Sequence, residues 1–165
     1  MGEGLCFRCQ KCGEDFTAYT GIGFSFPRVY QDVVAAIQKG KYGKEWKKLF
    51  KATPGAAVNA EQELFVCPDC GRFDSFVNLS LYAPKEPGLS KFHDIPFSTV
   101  DPCFDMEYVM PRDLETDYQL VKQYPHVCQK CGKEMKPYSK GMQVKCPRCN
   151  DGWLEQNPAG RVLWD

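Results

Sequence analysis

Cys128-Gln-Lys-Cys131, a fourteen-residue spacer that opens with Gly132, then Cys146-Pro-Arg-Cys149: this stretch holds four thiols in two Cys-x-x-Cys turns. Such a turn aims two sulfurs the same way, and a tetrahedral metal ion needs four soft ligands at about 2.3 Å. Gly132 follows the second sulfur and suits a positive φ, which turns backbone amides back toward thiolates. The spacer carries a turn signal, Tyr138-Ser-Lys-Gly141, and an expected strand from Met142 to Lys145. The spacing predicts that Cys128, Cys131, Cys146 and Cys149 share one metal ion.

The same words occur earlier in the chain. Cys9-Gln-Lys-Cys12-Gly13 repeats the first pair letter for letter, and Cys67-Pro-Asp-Cys70-Gly71 echoes the second. Cys9, Cys12, Cys67 and Cys70 are therefore expected to hold a second ion, with fifty-four residues between their half-sites. The reading is one unit used twice, with an insertion in the first copy. These motifs resemble the zinc ribbon, in which two such knuckles sit on hairpins of a small three-stranded antiparallel sheet. The resemblance covers the four knuckles and their neighbours. It implies two Zn2+ ions and an α+β chain with two small antiparallel zinc-ribbon sheets, the first carrying a helical insertion. The layout also resembles uncharacterised bacterial double-zinc-ribbon proteins, a likeness that carries no activity with it. Cys-x-x-Cys-Gly with Cys-Pro-x-Cys is similar to rubredoxin as well, which implies iron in the same shell. Asn150 stands where that family usually has Gly, and the second spacer is short.

Composition bounds the function. Lys plus Arg and Asp plus Glu number 21 each, so the whole chain has no long-range field favouring nucleic acid, and any such contact needs a local patch. Hydrophobic residues at 43% and aromatics at 13% support a real core. No apolar run approaches the roughly 20 residues that span a bilayer. Met1-Gly-Glu-Gly-Leu-Cys6 matches neither a signal peptide nor a myristoylation pattern. Ten cysteines without a secretion signal point to metal rather than disulfides and to the cytoplasm.

Between the motifs, Cys6 reads as a spare thiol packed near the ribbon. The aromatics Phe16, Tyr19, Phe24 and Phe26, with Gly21 and Gly23, read as a loop that packs onto a core. A helix is expected from Pro27 to a cap at Gly40, with Val29, Val33 and Ile37 spaced along an apolar face. A shorter one is expected after Gly43 and before Pro54, with Trp46, Leu49 and Phe50 inward. Lys39, Lys41, Lys44, Lys47, Lys48 and Lys51 oppose only Glu45. With Tyr42 and Trp46 interleaved, they form a candidate nucleic-acid patch; the competing reading is a solvated helix face. Strands are expected over Glu63 to Val66 and, alternating, over Phe73 to Tyr82. Pro84, Pro87, Pro96 and Pro102 suggest a linker containing His93 and Cys103. Asp94 to Asp117 is acidic against Arg112 alone. Phe104 to Met110 reads as a strand, and Pro111 to Pro125 as a helix presenting Leu114, Tyr118 and Val121. His126 is expected to stay outside the metal shell. Trp153-Leu154 and Val162 to Trp164 read as a hairpin about Asn157-Pro-Ala-Gly160, its tryptophans covering the metal. The C-terminal copy is basic, through Lys130, Lys133, Lys136, Lys140, Lys145 and Arg148. Three regions result: 1-83, an N-terminal ribbon with a helical insertion at about 24-53; 84-125, a Pro-rich acidic linker with a strand and a helix; and 126-165, a C-terminal ribbon.

The function expected is a non-catalytic module in which two structural four-cysteine sites fix a scaffold for nucleic acid or another protein. Four thiolates leave no open position for water, which argues against zinc hydrolysis. An iron electron carrier similar to rubredoxin is the alternative. An enzyme with structural zinc ranks last. The chain holds no His-Glu-x-x-His, Gly-x-Ser-x-Gly or Gly-rich phosphate loop, and Asp101, Asp105 and Glu107 are its candidate carboxylates. No membrane contact and no small-molecule substrate is evident.

Overall fold

The computed structural model describes residues 2–89 and 107–164. Helices and mainly antiparallel sheets combine in two compact units, each assembled from separated stretches of chain. The first unit is Met1–Phe24, Glu61–Val77 and Pro125–Asp165; the second is Ser25–Ala60 and Asn78–Tyr124. The consecutive regions 1-83, 84-125 and 126-165 are therefore not the units that form. The two ends of the chain join because β1 (Gly2–Cys9) and β10 (Trp153–Trp164) pair antiparallel, from Gly2 opposite Trp164 to Cys9 opposite Leu154.

In the first unit, β2 (Asp15–Thr20) and β9 (Val144–Lys145) complete a four-stranded sheet in the order β2-β1-β10-β9. A second sheet has the order β5-β4-β8, from β4 (Gln62–Val66), β5 (Phe73–Val77) and β8 (Lys136–Pro137). Strand β4 follows the period of two expected of it. Leu64 and Val66 join Phe7, Ala18, Val144 and Leu154 in one core, while Phe65 joins Met135 in another. Its two faces thus serve two separate cores.

The C-terminal hairpin expected about Asn157 to Gly160 does not form. β10 runs on, and its pairing jumps from Gln156 opposite Phe7 to Arg161 opposite Leu5. The turn residues are spent on a bulge, which absorbs extra residues without reversing the chain. Trp164 consequently sits at the far end of the ladder from Cys9. It donates its indole N–H to the Thr20 carbonyl at 3.1 Å and meets the Tyr19 ring edge-on. Trp153 is exposed, with the Lys145 ammonium 5.3 Å from its ring centre. Neither tryptophan covers a cysteine group in the way expected.

In the second unit, α1 (Phe26–Lys39) has Pro in its first turn and Gly40 at φ 84 as a left-handed cap, as the sequence suggests. Its buried side chains are Phe26, Tyr30, Val33 and Ile37, whereas Val29 is exposed. Helix α2 (Lys44–Ala52) buries Trp46. The sheet β3-β6-β7 comprises β3 (Ala57–Val58), β6 (Leu81–Pro84) and β7 (Tyr118–Lys122).

Two expected elements are divided here. The strand from Phe73 to Tyr82 breaks after Val77, so β5 and β6 fall in different units. Asn78 accepts a hydrogen bond from the Ser80 amide through its side chain at 2.8 Å, a local turn that competes with the ladder. Leu79 adopts φ 65 while buried. The expected helix from Pro111 stops early as α3 (Pro111–Thr116), because Tyr118–Lys122 pairs with β6 instead. Tyr, Leu and Val suit a pleated ladder as well as a helix face, and the open edge of β6 decides between them. Of the strand expected over Phe104 to Met110, residues 107–110 form no regular element, though Tyr108 and Val109 are buried.

Ile37 is fully buried on α1. Ile37→Ala is expected to destabilise the chain by about 2–5 kcal/mol, the usual result of emptying a core site. A denaturant titration showing a change well under about 1 kcal/mol would mean that the α1 face is not packed as described.

Candidate metal centres

All four Cys-x-x-Cys segments fold into one local shape. The residue after the second cysteine is left-handed each time: Gly13 at φ 72, Gly71 at φ 68, Gly132 at φ 71 and Asn150 at φ 57. Its amide donates to the carbonyl of the first cysteine, at 3.0 Å for Gly13 to Cys9 and 2.8 Å for Gly132 to Cys128. The first cysteine's amide closes the loop onto the carbonyls of Glu14, Arg72, Lys133 and Gly152 respectively. The fourth knuckle is one residue longer, and Gly152 fills that extra position. A Cβ on Gly152 would lie 2.5 Å from Cys9 Sγ and 3.1 Å from Cys149 Sγ.

The knuckles combine differently from the sequence expectation. One group is Cys9, Cys12, Cys146 and Cys149; the other is Cys67, Cys70, Cys128 and Cys131. The pairing is nested: the outermost knuckles meet each other and the inner two meet each other. The expected foursomes, Cys9/Cys12 with Cys67/Cys70 and Cys128/Cys131 with Cys146/Cys149, are corrected accordingly. The cause is strand pairing. β1 carries Cys9 onto β10, and β9, which leads into Cys146, flanks β10 on its other side.

The sulfur geometry suits a tetrahedron. Cys9 to Cys149 and Cys12 to Cys146 are both 3.7 Å, Cys67 to Cys131 is 3.4 Å, Cys70 to Cys128 is 3.6 Å, and Cys70 to Cys131 is 3.8 Å. Four ligands at about 2.3 Å from a central ion stand about 3.8 Å apart. A disulfide would need about 2.05 Å. Amides point at sulfur as well: Cys12 N–H donates to Cys9 Sγ at 3.4 Å and Gly152 N–H to Cys149 Sγ at 3.3 Å.

The thiols within a group do not ionise alike. Hydrogen bonding from the Cys12 amide leads the causes that lower Cys9 to about 6. For Cys12 a backbone bond at Glu14 pulls downward, but burial and the sulfurs of Cys9, Cys146 and Cys149 push it to about 12. Burial pushes Cys128 up, yet the amides of Cys131 and Lys130 and the neighbouring sulfurs bring it to about 6. A backbone bond at Lys133 lowers Cys131, but Cys67, burial, Cys128 and Cys70 outweigh it and raise it to about 12. One thiolate forms readily per group, Cys9 or Cys128, while Cys12 and Cys131 resist. A divalent cation at the centre removes that resistance.

Each group has a buried side and an open side. Cys9, Cys146, Cys67 and Cys128 are buried, Cys149 and Cys70 are half-buried, and Cys12 and Cys131 are exposed. Within the same unit a cleft of about 320 Å³ is lined by Cys70 and Cys146, one from each group, together with Arg72, Asp74, Lys130 and Lys145. The Lys145 amide donates to the Gly71 carbonyl at 2.9 Å, tying a knuckle of one group to the approach of the other. These cations stand beside sulfurs that become negative on ionisation.

The remaining candidates are placed as follows. His126 is buried and stacks on Phe76 at 5.1 Å between centroids and packs on Phe65 at 4.1 Å, outside both groups. Cys6 is half-buried in β1, its sulfur 3.6 Å from Thr17 Oγ1. His93, Cys103, Asp94, Asp101 and Asp105 lie outside the described residues, and Glu107 is exposed. Trp46 is buried, with its ring edge-on to Tyr124 at 5.2 Å, so it is not open to stack a base. Lys39, Lys41, Lys44, Lys48 and Lys51 are exposed and Lys47 is half-buried. Gly152 was missed by sequence reasoning; its one available signal was the extra residue before it in the fourth knuckle.

No protein-family model, curated protein or solved structure matches this chain. Among the described residues no helix is long and apolar enough to cross a membrane.

The nested grouping has a direct test. Cys12→Ser combined with Cys149→Ser is expected to leave one bound metal per chain, because both residues serve one group. Cys12→Ser combined with Cys70→Ser is expected to leave none. Elemental analysis giving the reverse would restore the sequential pairing. Gly152→Ala, which presses a methyl onto Cys9 Sγ, is expected to weaken the Cys9 group by at least tenfold in chelator competition, the scale on which structures supporting metal ligands act.

Proposed function

We propose that this chain is a non-catalytic zinc-binding module: two structural zinc centres, each with four thiolate ligands as in zinc ribbons, fix a scaffold that contacts nucleic acid or another protein. The observation that carries this reading is the pair of four-sulfur groups with 3.4–3.8 Å edges. All four positions of a tetrahedral ion are taken by thiolates in each, so the ion has no free site at which to activate water. Its contribution is structural. In the Cys9 group it joins β1, β9 and β10, and in the Cys67 group it joins the end of β4 to the segment around Cys128.

The nested grouping also bears on iron. Each centre still combines one Cys-Gln-Lys-Cys-Gly knuckle with one Cys-Pro-x-Cys knuckle, so the rubredoxin-like shell survives in ligand composition. Colour separates the metals. The purified chain is expected to be colourless with two zinc ions, and a red protein with thiolate-to-iron charge-transfer bands would sink the zinc reading. A strong chelator, or acid that protonates the thiolates, is expected to remove the metal and cooperatively unfold the first unit, since ligand deprotonation and folding are linked. A chelated, metal-free chain that kept the thermal midpoint of the loaded one would refute a structural role.

A further inference from the structure

We infer that the lysine face of α2 is a contact surface for the phosphate backbone of nucleic acid; this rests on the scaffold reading above and narrows its partner. Lys44, Lys47, Lys48 and Lys51 recur at i, i+3, i+4 and i+7 along the helix. At 3.6 residues per turn they share about 100° of arc, and they cover about 10 Å of axis. Trp46, Leu49 and Phe50 lie on the other side, with Trp46 buried against Tyr124. The turn after α1 adds Lys39 and Lys41. It adjoins the stripe, because a Cβ on Gly40 would lie 3.6 Å from Lys47 Cδ.

Like charges at i+3 and i+4 repel and weaken a helix. Here four such pairs are kept on one nine-residue helix, and among the described residues none of the six lysines pairs with a carboxylate. A polyanion relieves that repulsion. Other partners fit the face less well. Protein interfaces are depleted in lysine and centred on apolar or aromatic side chains, which this stripe lacks. Docking into a bilayer needs an apolar face toward the lipid, and that of α2 is turned inward. Base readout is disfavoured too: no arginine lies in the stripe for bidentate contacts, and neither Trp46 nor Tyr42, whose ring meets Tyr124 at 5.9 Å, forms an open stacking platform. The contact is therefore to phosphates, independent of sequence. It favours duplex over single strand, because the duplex carries one charge per about 1.7 Å of axis.

The test uses the full-length, metal-loaded chain with labelled duplex and single-stranded DNA of equal length, read by anisotropy over a range of salt. Duplex binding in the range of non-specific contacts, about 10⁻⁴–10⁻⁶ M at physiological salt, is expected. The triple variant K44Q/K48Q/K51Q is expected to bind at least tenfold more weakly at low salt and to flatten the log–log salt slope by about 2.7, at about 0.9 per phosphate contact. The matched triple K133Q/K136Q/K140Q, which removes the same charge from the other basic stretch, is expected to leave that slope nearly unchanged. If the helix triple fails to keep its thermal midpoint, the single variants K44Q and K48Q are each expected to flatten the slope by about 0.9. Absence of wild-type binding at low salt, equal effects of the two triples, or tighter binding to anionic vesicles than to duplex would overturn the assignment. Metal content of the same sample reports separately on the scaffold reading.

Discussion

Four thiolates within 4.8 Å of one another repel, and the first unit is built so that two such groups exist. A cation between the sulfurs would offset that repulsion and tie together the strands around them. The cores on either side of β4 contain cysteines as full members. Cys9 and Cys146 pack with Leu64 and Val66, and Cys67 and Cys128 pack with Phe65. Loss of a bound ion would therefore cost more than four bonds. It would leave buried thiols inside these two cores.

The nested closure runs against chain entropy. Bringing Cys12 to Cys146 and Cys70 to Cys128 closes longer loops than the sequential pairing would. Loop-closure entropy grows only with the logarithm of length, so the extra cost is about 2 kcal/mol in total. The β1–β10 ladder, with seven registered residue pairs, outweighs it. Local spacing is thus a weak guide to which half-sites meet once strands of distant segments can pair.

The second unit uses no cysteine ligand among its described residues and relies on ordinary amphipathic packing. α1 and α2 were legible because proline, a glycine cap and a 3.6-residue repeat all agree there. Tyr118–Lys122 and Asn78–Ser80 were not legible. The first segment satisfies helix and strand patterns equally, and its state depends on whether a neighbouring strand edge is open. The second breaks an alternating run by a side-chain-to-backbone bond and a left-handed Leu79, neither of which an apolar pattern announces.

By itself the sequence determined the local chemistry. It specified four knuckles, their left-handed closing residues, the soft ligands they present, two helices, the Val33, Ile37 and Trp46 positions of their buried faces, and the alternation of Leu64, Phe65 and Val66 along one strand. Each of these depends on residues a few positions apart, whose interactions are set by fixed backbone geometry. Which knuckle meets which was decided by the tertiary structure. Both pairings give each ion one Cys-Gln-Lys-Cys-Gly and one Cys-Pro-x-Cys, so the ligand words carry no information that separates them. The long-range antiparallel contact of the two chain ends does separate them, because it sets Cys9 beside the strand that follows Cys146 and Cys149.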